Sequence, residues 1–121
     1  MKVFLFFIDG LGLGGDDPAV NPLIAAKMPV LRSLLGGQPL WRGAVPYTGP
    51  NVAAVATDPC LDVPGLPQSA TGQTTIFTGQ NAARAIGRHL HAYPTPSLKA
   101  ILEEHSIFRR VVERGLTATF L

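Results

Sequence analysis

Residues 3–8 read VFLFFI, six apolar positions in a row with Asp9 directly after them. A short unbroken run rich in Val, Phe and Ile predicts a central parallel strand, covered on both faces. Residues 10–22, GLGLGGDDPAVNP, lose all periodicity and predict a loop. Asn21 followed by Pro22 has the form of an N-cap and a first helical residue, so a short helix is expected to about Lys27. Pro29 restarts a helix over VLRSLL, and Gly36 with Gly37 ends it. Residues 38–50 read as loop or irregular strand. Residues 51–58, NVAAVATD, are a second strand candidate that ends in an acidic residue, and a Pro-rich loop then leads to Ser69.

In the second half, residues 70–78 predict a helix although Thr and Gly72 give it poor propensity, because burial can override propensity. Residues 80–86 predict another, ended by Gly87, and residues 88–94 are turn-like. The clearest element is a helix over residues 96–114. Thr95 is its cap candidate and Pro96 its first residue. Leu98, Ile101, Leu102, His105, Phe108, Val111 and Val112 recur at helical spacing, and Gly115 closes it. Residues 116–121, LTATFL, read as a third strand. Strand, helix and strand at this spacing predict a parallel βαβ crossover.

Composition narrows the class. A chain of 121 residues is one domain at most, and 46% apolar residues suffice for a core. Charged residues, at 15%, fall below the rough 25% of ordinary soluble domains, which points to wide buried faces. Net charge is +2, too little for a nucleic-acid footprint without a clustered patch. The nearest clusters are Arg84, Arg88, His89 and His91, then Arg109, Arg110 and Arg114. The second reads as a solvated helix face. The single Cys60 excludes an intrachain disulfide and a cysteine metal cluster, and it fits a reducing compartment. The apolar run at residues 3–8 is too short for a signal h-region or a membrane span, so a cytoplasmic protein without membrane or nucleic-acid partners is expected.

Gly10, Gly12 and Gly15 satisfy GxGxxG after a strand candidate, but the context argues against a dinucleotide loop. That fingerprint needs a helix opening on its third glycine, where this chain continues DDPAVNP. The glycines are better read as letting the backbone fold tightly around Asp9.

Two segments carry candidate chemistry. Asp9 stands where an apolar strand delivers a carboxylate to the edge of an open α/β sheet. Ser69, in SATGQTTIFTG, stands at a loop-to-helix junction, a natural nucleophile position, with Thr71 as its rival. A serine hydroxyl is a weak nucleophile at neutral pH. A divalent ion beside it would lower its pKa, and a helix N-terminus would add donors for phosphoryl oxygens.

Residues 69–79 resemble the nucleophile segment of the alkaline phosphatase superfamily, with Ser69 followed three residues later by Gly72. FFIDG resembles its first strand. The nearest branch is that of the cofactor-independent phosphoglycerate mutases and related metalloenzymes. The resemblance implies a three-layer α/β/α fold with a mostly parallel sheet, left incomplete here, with strands near residues 2–8, 52–57 and 116–121. It implies Asp9 and Ser69 as metal ligands and Ser69 as phosphoryl acceptor. The cofactor would be manganese or zinc, held by an incomplete ligand set. The substrate would be a phosphorylated small molecule, turned over by hydrolysis or mutase chemistry. The chain departs from the family in lacking an Asp-His pair and any Asp after Asp62. It therefore resembles an N-terminal fragment that a C-terminal partner chain or self-association would complete. The competing expectation is a catalytically incomplete α/β fragment that acts only through association, or without activity.

Gly72, Gln73, Arg88, His89 and His91 are the candidate substrate contacts. In an extended segment His89 and His91 share a side, and a pair of surface histidines is an equal reading. His105 reads as a packed helix residue. Asp16 and Asp17 suit a solvated loop, Asp58 and Asp62 line the approach to Ser69, and Trp41 and Tyr47 cover either loop or substrate.

Overall fold

The computed structural model describes residues 2–120, and the chain divides into two compact units, Met1–Thr57 and Asp58–Leu121.

The first unit is built from short pieces. Helix α1 (Pro22–Ala25) begins where the Asn-Pro pair predicts, with the Asn21 side chain accepting the Leu23 N–H at 3.1 Å. Helix α2 (Pro29–Leu34) also starts on its proline, and the chain then turns through Gly36 and Gly37. A single 3-10 turn (Arg42–Ala44) leads to strand β1 (Tyr47–Gly49), which pairs antiparallel with β2 (Val52–Ala54) in the register Tyr47↔Ala54. Its buried residues are Asn21, Leu35 and Ala44.

The second unit is helical and better packed. Helix α3 (Ser69–Thr78) is followed by α4 (Ala82–Ile86), α5 (Pro96–His105) and α6 (Ile107–Glu113). Along α3, Ala70, Thr71, Thr74 and Thr78 form a stripe of small buried side chains. Small residues let neighbouring helices approach closely, and α3 packs on both α4 and α5. Leu98 of α5 has no exposed surface. It sits with Ala70 and Ala82, flanked by Ile86, Leu90 and Ile101. The poor helix formers of α3 are compensated in a specific way. Thr74 donates to the Ala70 carbonyl at 2.7 Å, Thr75 to Thr71 at 2.9 Å and Thr78 to Thr74 at 2.6 Å. Hydroxyls that would compete with the helix bond back into it instead, and so can be buried. Gly79, at φ +71°, takes the left-handed position that ends α3.

The fold corrects the expected class. Among the described residues the only sheet is the two-stranded antiparallel ribbon β1–β2, within a mostly helical chain. Among the described residues there is no three-layer α/β/α arrangement and no mostly parallel sheet, and the resemblance to the alkaline phosphatase superfamily fails on the same ground. Residues 3–8 form no strand. Their side chains are exposed, Phe4 at 88% and Phe6 at 86%. A run can be apolar and β-prone yet become a central strand only if other strands flank it and helices cover both faces. Among the described residues no strand pairs with this run, and β1 and β2 pair with each other. Residues 116–120 are likewise not a strand, and residue 121 lies outside the described residues. Phe120 packs its ring against Phe77 and Phe108 at centroid distances of 5.7 and 6.0 Å. The parallel βαβ crossover is lost with its strands. Of residues 51–58, only Val52–Ala54 is strand, and its partner is the preceding segment.

The helix expected over residues 96–114 is two helices. Ser106 leaves helical geometry at ψ 130° and caps α6, its hydroxyl accepting the Phe108 N–H at 3.2 Å. Arg109 closes the joint by donating to the Glu103 carbonyl at 3.0 Å while pairing with Glu113 at 2.7 Å. Serine competes for its own backbone, so a mid-pattern Ser is a natural break point.

Candidate functional site

Ser69 is the first residue of α3, half-buried, after an extended Gln68. What distinguishes it from the other hydroxyls of the segment is its place at the open end of the helix. Thr74, Thr75 and Thr78 each have a helical carbonyl four residues back and use it. Ser69 has no helical turn beneath it.

Thr71, the rival nucleophile, is fully buried. Its hydroxyl donates to the Gln68 carbonyl at 3.2 Å and accepts the Leu90 N–H at 3.3 Å. Leu90 in turn accepts the Ala70 N–H through its carbonyl at 3.1 Å. Residues 88–91 are thus clipped against the first turn of α3 by two backbone groups of one residue. The clip gives the Thr71 hydroxyl two backbone partners. It also takes up the Ala70 N–H, one of the donors that a helix start offers to an anion.

The other sequence candidates fall as follows. Gly72 has open space where a side chain would stand, and Gln73 is half-buried on α3. His89 is half-buried and its Nε2 meets the Val63 carbonyl at 3.1 Å, so it ties the loop before Ser69 to the clip segment. Arg88 and His91 are exposed on either side of that pinned stretch. The second unit therefore brings Ser69, Gly72, Gln73 and residues 88–91 to one end of α3. Asp9 belongs to the first unit, exposed at a turn with Gly10.

The acidic loop residues have structural partners. Asp17 accepts the Ala19 N–H at 2.8 Å, and Asp58 accepts the Cys60 N–H at 2.9 Å. Asp62 faces Arg84 at 3.6 Å with both side chains exposed, a pair of little energetic weight. His105 is half-buried on α5 beside Glu104 at 3.7 Å. The Cys60 thiol is pushed up in pKa by desolvation first and by the neighbouring Asp58 carboxylate second. That makes it a poor thiolate.

The glycine run has an internal use. No helix opens on Gly15. Asn21, buried, donates from Nδ2 to the Gly15 carbonyl at 2.5 Å and lies against Gly14, where a side chain would meet it at 2.9 Å. Trp41 lies over Gly43, and Tyr47 packs on Gly36 and Gly49, so both rings are packing groups of the first unit.

Sequence reasoning missed the Thr71–Leu90 clip and the double role of Asn81. Asn81 caps α4 by accepting the Arg84 N–H at 3.0 Å and donates to the Leu61 carbonyl at 2.9 Å. The cap was open to reading from Asn before a helical Ala-Ala-Arg run; the reach to Leu61 had no local signal.

Among the described residues no group of three or more His, Cys, Asp or Glu is placed to hold a metal ion. This and the helical fold correct the expectation of a metal-binding hydrolase or isomerase of that superfamily. No described helix is long and apolar enough to cross a membrane. Comparison with known proteins finds no matching family model, no matching curated relative and no matching solved structure.

Proposed function

We propose that the chain accepts a phosphoryl group at Ser69 from a phosphorylated small molecule. The observation that carries this reading is the place of Ser69 as the first, half-buried residue of the ten-residue α3, after an extended Gln68. The four threonine hydroxyls of the helix lie further along and donate to backbone carbonyls, Thr71 from a fully buried position. In the reaction the Ser69 oxygen bonds to phosphorus, the bond from phosphorus to the ester oxygen breaks, and the serine proton passes through solvent to the departing alkoxide. The ten-residue α3 presents the positive end of its dipole to the phosphoryl oxygens. Arg88 supplies cationic capture and His91 a further hydrogen-bonding group from the clip segment, and Gly72 leaves room for the substrate. A cytoplasmic setting, consistent with the lone Cys60, belongs to the same reading.

The test is intact-mass spectrometry after incubation with acetyl phosphate or p-nitrophenyl phosphate, with and without added manganese or zinc. The expected result is one added phosphoryl group, lost in Ser69→Ala and kept in Thr71→Ser. An adduct that persists in Ser69→Ala, or none under any condition, overturns the reading.

A second reading is favoured by a different observation. Residues 3–8 expose six large apolar side chains in succession. Monomeric proteins rarely leave contiguous apolar patches of this kind uncovered. On this reading the chain is non-catalytic and works through association. It predicts no phosphoryl adduct and a concentration-dependent assembly that is lost when Phe4 and Phe6 are both replaced by Ser.

A further inference from the structure

Resting on the association reading, we propose that residues 3–7 pair antiparallel with the same residues of a second copy, with Leu5 facing Leu5 on the two-fold axis.

The segment has no regular structure of its own, and its side chains are exposed at 79% for Val3, 88% for Phe4, 62% for Leu5, 86% for Phe6 and 43% for Phe7. It holds no charge, no Gly and no Pro. Backbone N–H and C=O groups in such a segment are a template for another strand. Residues 3–8 expose on the order of 700 Å² per copy, close to the roughly 800 Å² that one partner contributes to a standard interface.

The partner and register follow from symmetry. Residues directly opposite in an antiparallel pair share a face, and successive residues alternate faces. A two-fold pair of identical strands must therefore place some residue opposite its own copy. Centring on Leu5 sets Val3 against Phe7 and Phe4 against Phe6 on both sides of the axis. Aromatic pairs with aromatic or β-branched residues are among the favourable cross-strand contacts. Lys2 then falls opposite Ile8, where its aliphatic stem covers the apolar side chain and its amine stays in water. Centring on Phe6 sets Asp9 against Val3, and a carboxylate on so short a stem has no such arrangement. A run this apolar has its complement in itself, and a two-fold axis lets both copies use the same surface.

The experiment is sedimentation velocity on the full chain across a concentration series, with Leu5→Lys, Leu5→Glu and their equimolar mixture. Leu5 is largely exposed, so neither change disturbs the folded monomer; circular dichroism confirms it. Wild type is expected to dimerise. Each single variant should dimerise at least about tenfold more weakly, because like charges meet on the axis. The mixture should recover, because lysine then meets glutamate. A wild-type dimer that neither variant weakens, or a mixture that does not recover, overturns this register while leaving association standing. A monomer at every concentration overturns both, and open-ended aggregates that Leu5→Lys does not dissolve overturn the closed pairing.

Discussion

Replacing Thr71 by Val changes one atom group at the centre of the second unit. The shape is kept and the hydroxyl is lost. In the native chain that hydroxyl is fully buried, donates to the Gln68 carbonyl and accepts the Leu90 N–H. The two losses are unequal. The Gln68 carbonyl still accepts the Gly72 N–H at 2.9 Å, so it keeps a partner. The Leu90 N–H loses its acceptor in a part-buried position. An unsatisfied buried donor costs about 1–3 kcal/mol, and this sets the expected destabilisation. Thr71→Ser should separate the contributions, because it keeps the hydroxyl and removes one methyl, at a cost of about 1 kcal/mol. Thr71→Ala removes both and should cost about 2–4 kcal/mol. Urea unfolding followed by far-UV circular dichroism measures all three, with the slope checked for constancy. Hydrogen exchange at the Leu90 amide supplies the local readout, and it should accelerate in Thr71→Val and stay slow in Thr71→Ser. If Thr71→Val is as stable as wild type and the Leu90 amide remains protected, the clip does not hold the start of α3 in the way described.

Leu98→Ala should destabilise the chain by about 2–5 kcal/mol, since Leu98 is wholly buried among Ala70, Ala82, Ile86, Leu90 and Ile101, and its removal leaves a cavity there; the urea midpoint measures it, and a loss below about 1 kcal/mol would contradict the assigned core. Cys60 should alkylate slowly, because desolvation and the Asp58 carboxylate raise its pKa and the reactive thiolate forms only at higher pH. Asp58→Asn removes the raising charge, so the rate-versus-pH curve for iodoacetamide should move to lower pH; an unmoved curve would show that Asp58 does not act on the thiol.

The chain's own residues determined its local punctuation. Asn21 with Pro22, Pro29 and Pro96 start helices where sequence expects them, and Gly79, Gly87 and Gly115 stand just past helix ends or the turn that follows. These signals are legible because each depends on one residue's dihedral preference or on a missing N–H. The strand assignments failed for the opposite reason. A strand exists only through its partner, and the apolar run of residues 3–8 carries no information about whether one is at hand. The same limit governed the site. Sequence marked the hydroxyl-rich segment but left Ser69 and Thr71 open. What the local sequence could not show is that Leu90, nineteen residues further on, engages the Thr71 hydroxyl through its backbone. The break at Ser106 was decided between these extremes, by a serine cap together with the reach of Arg109 to Glu103. Preferences that reside in one or two adjacent residues are written in the chain. Pairings across tens of residues depend on which surfaces meet, and only the tertiary structure settles that.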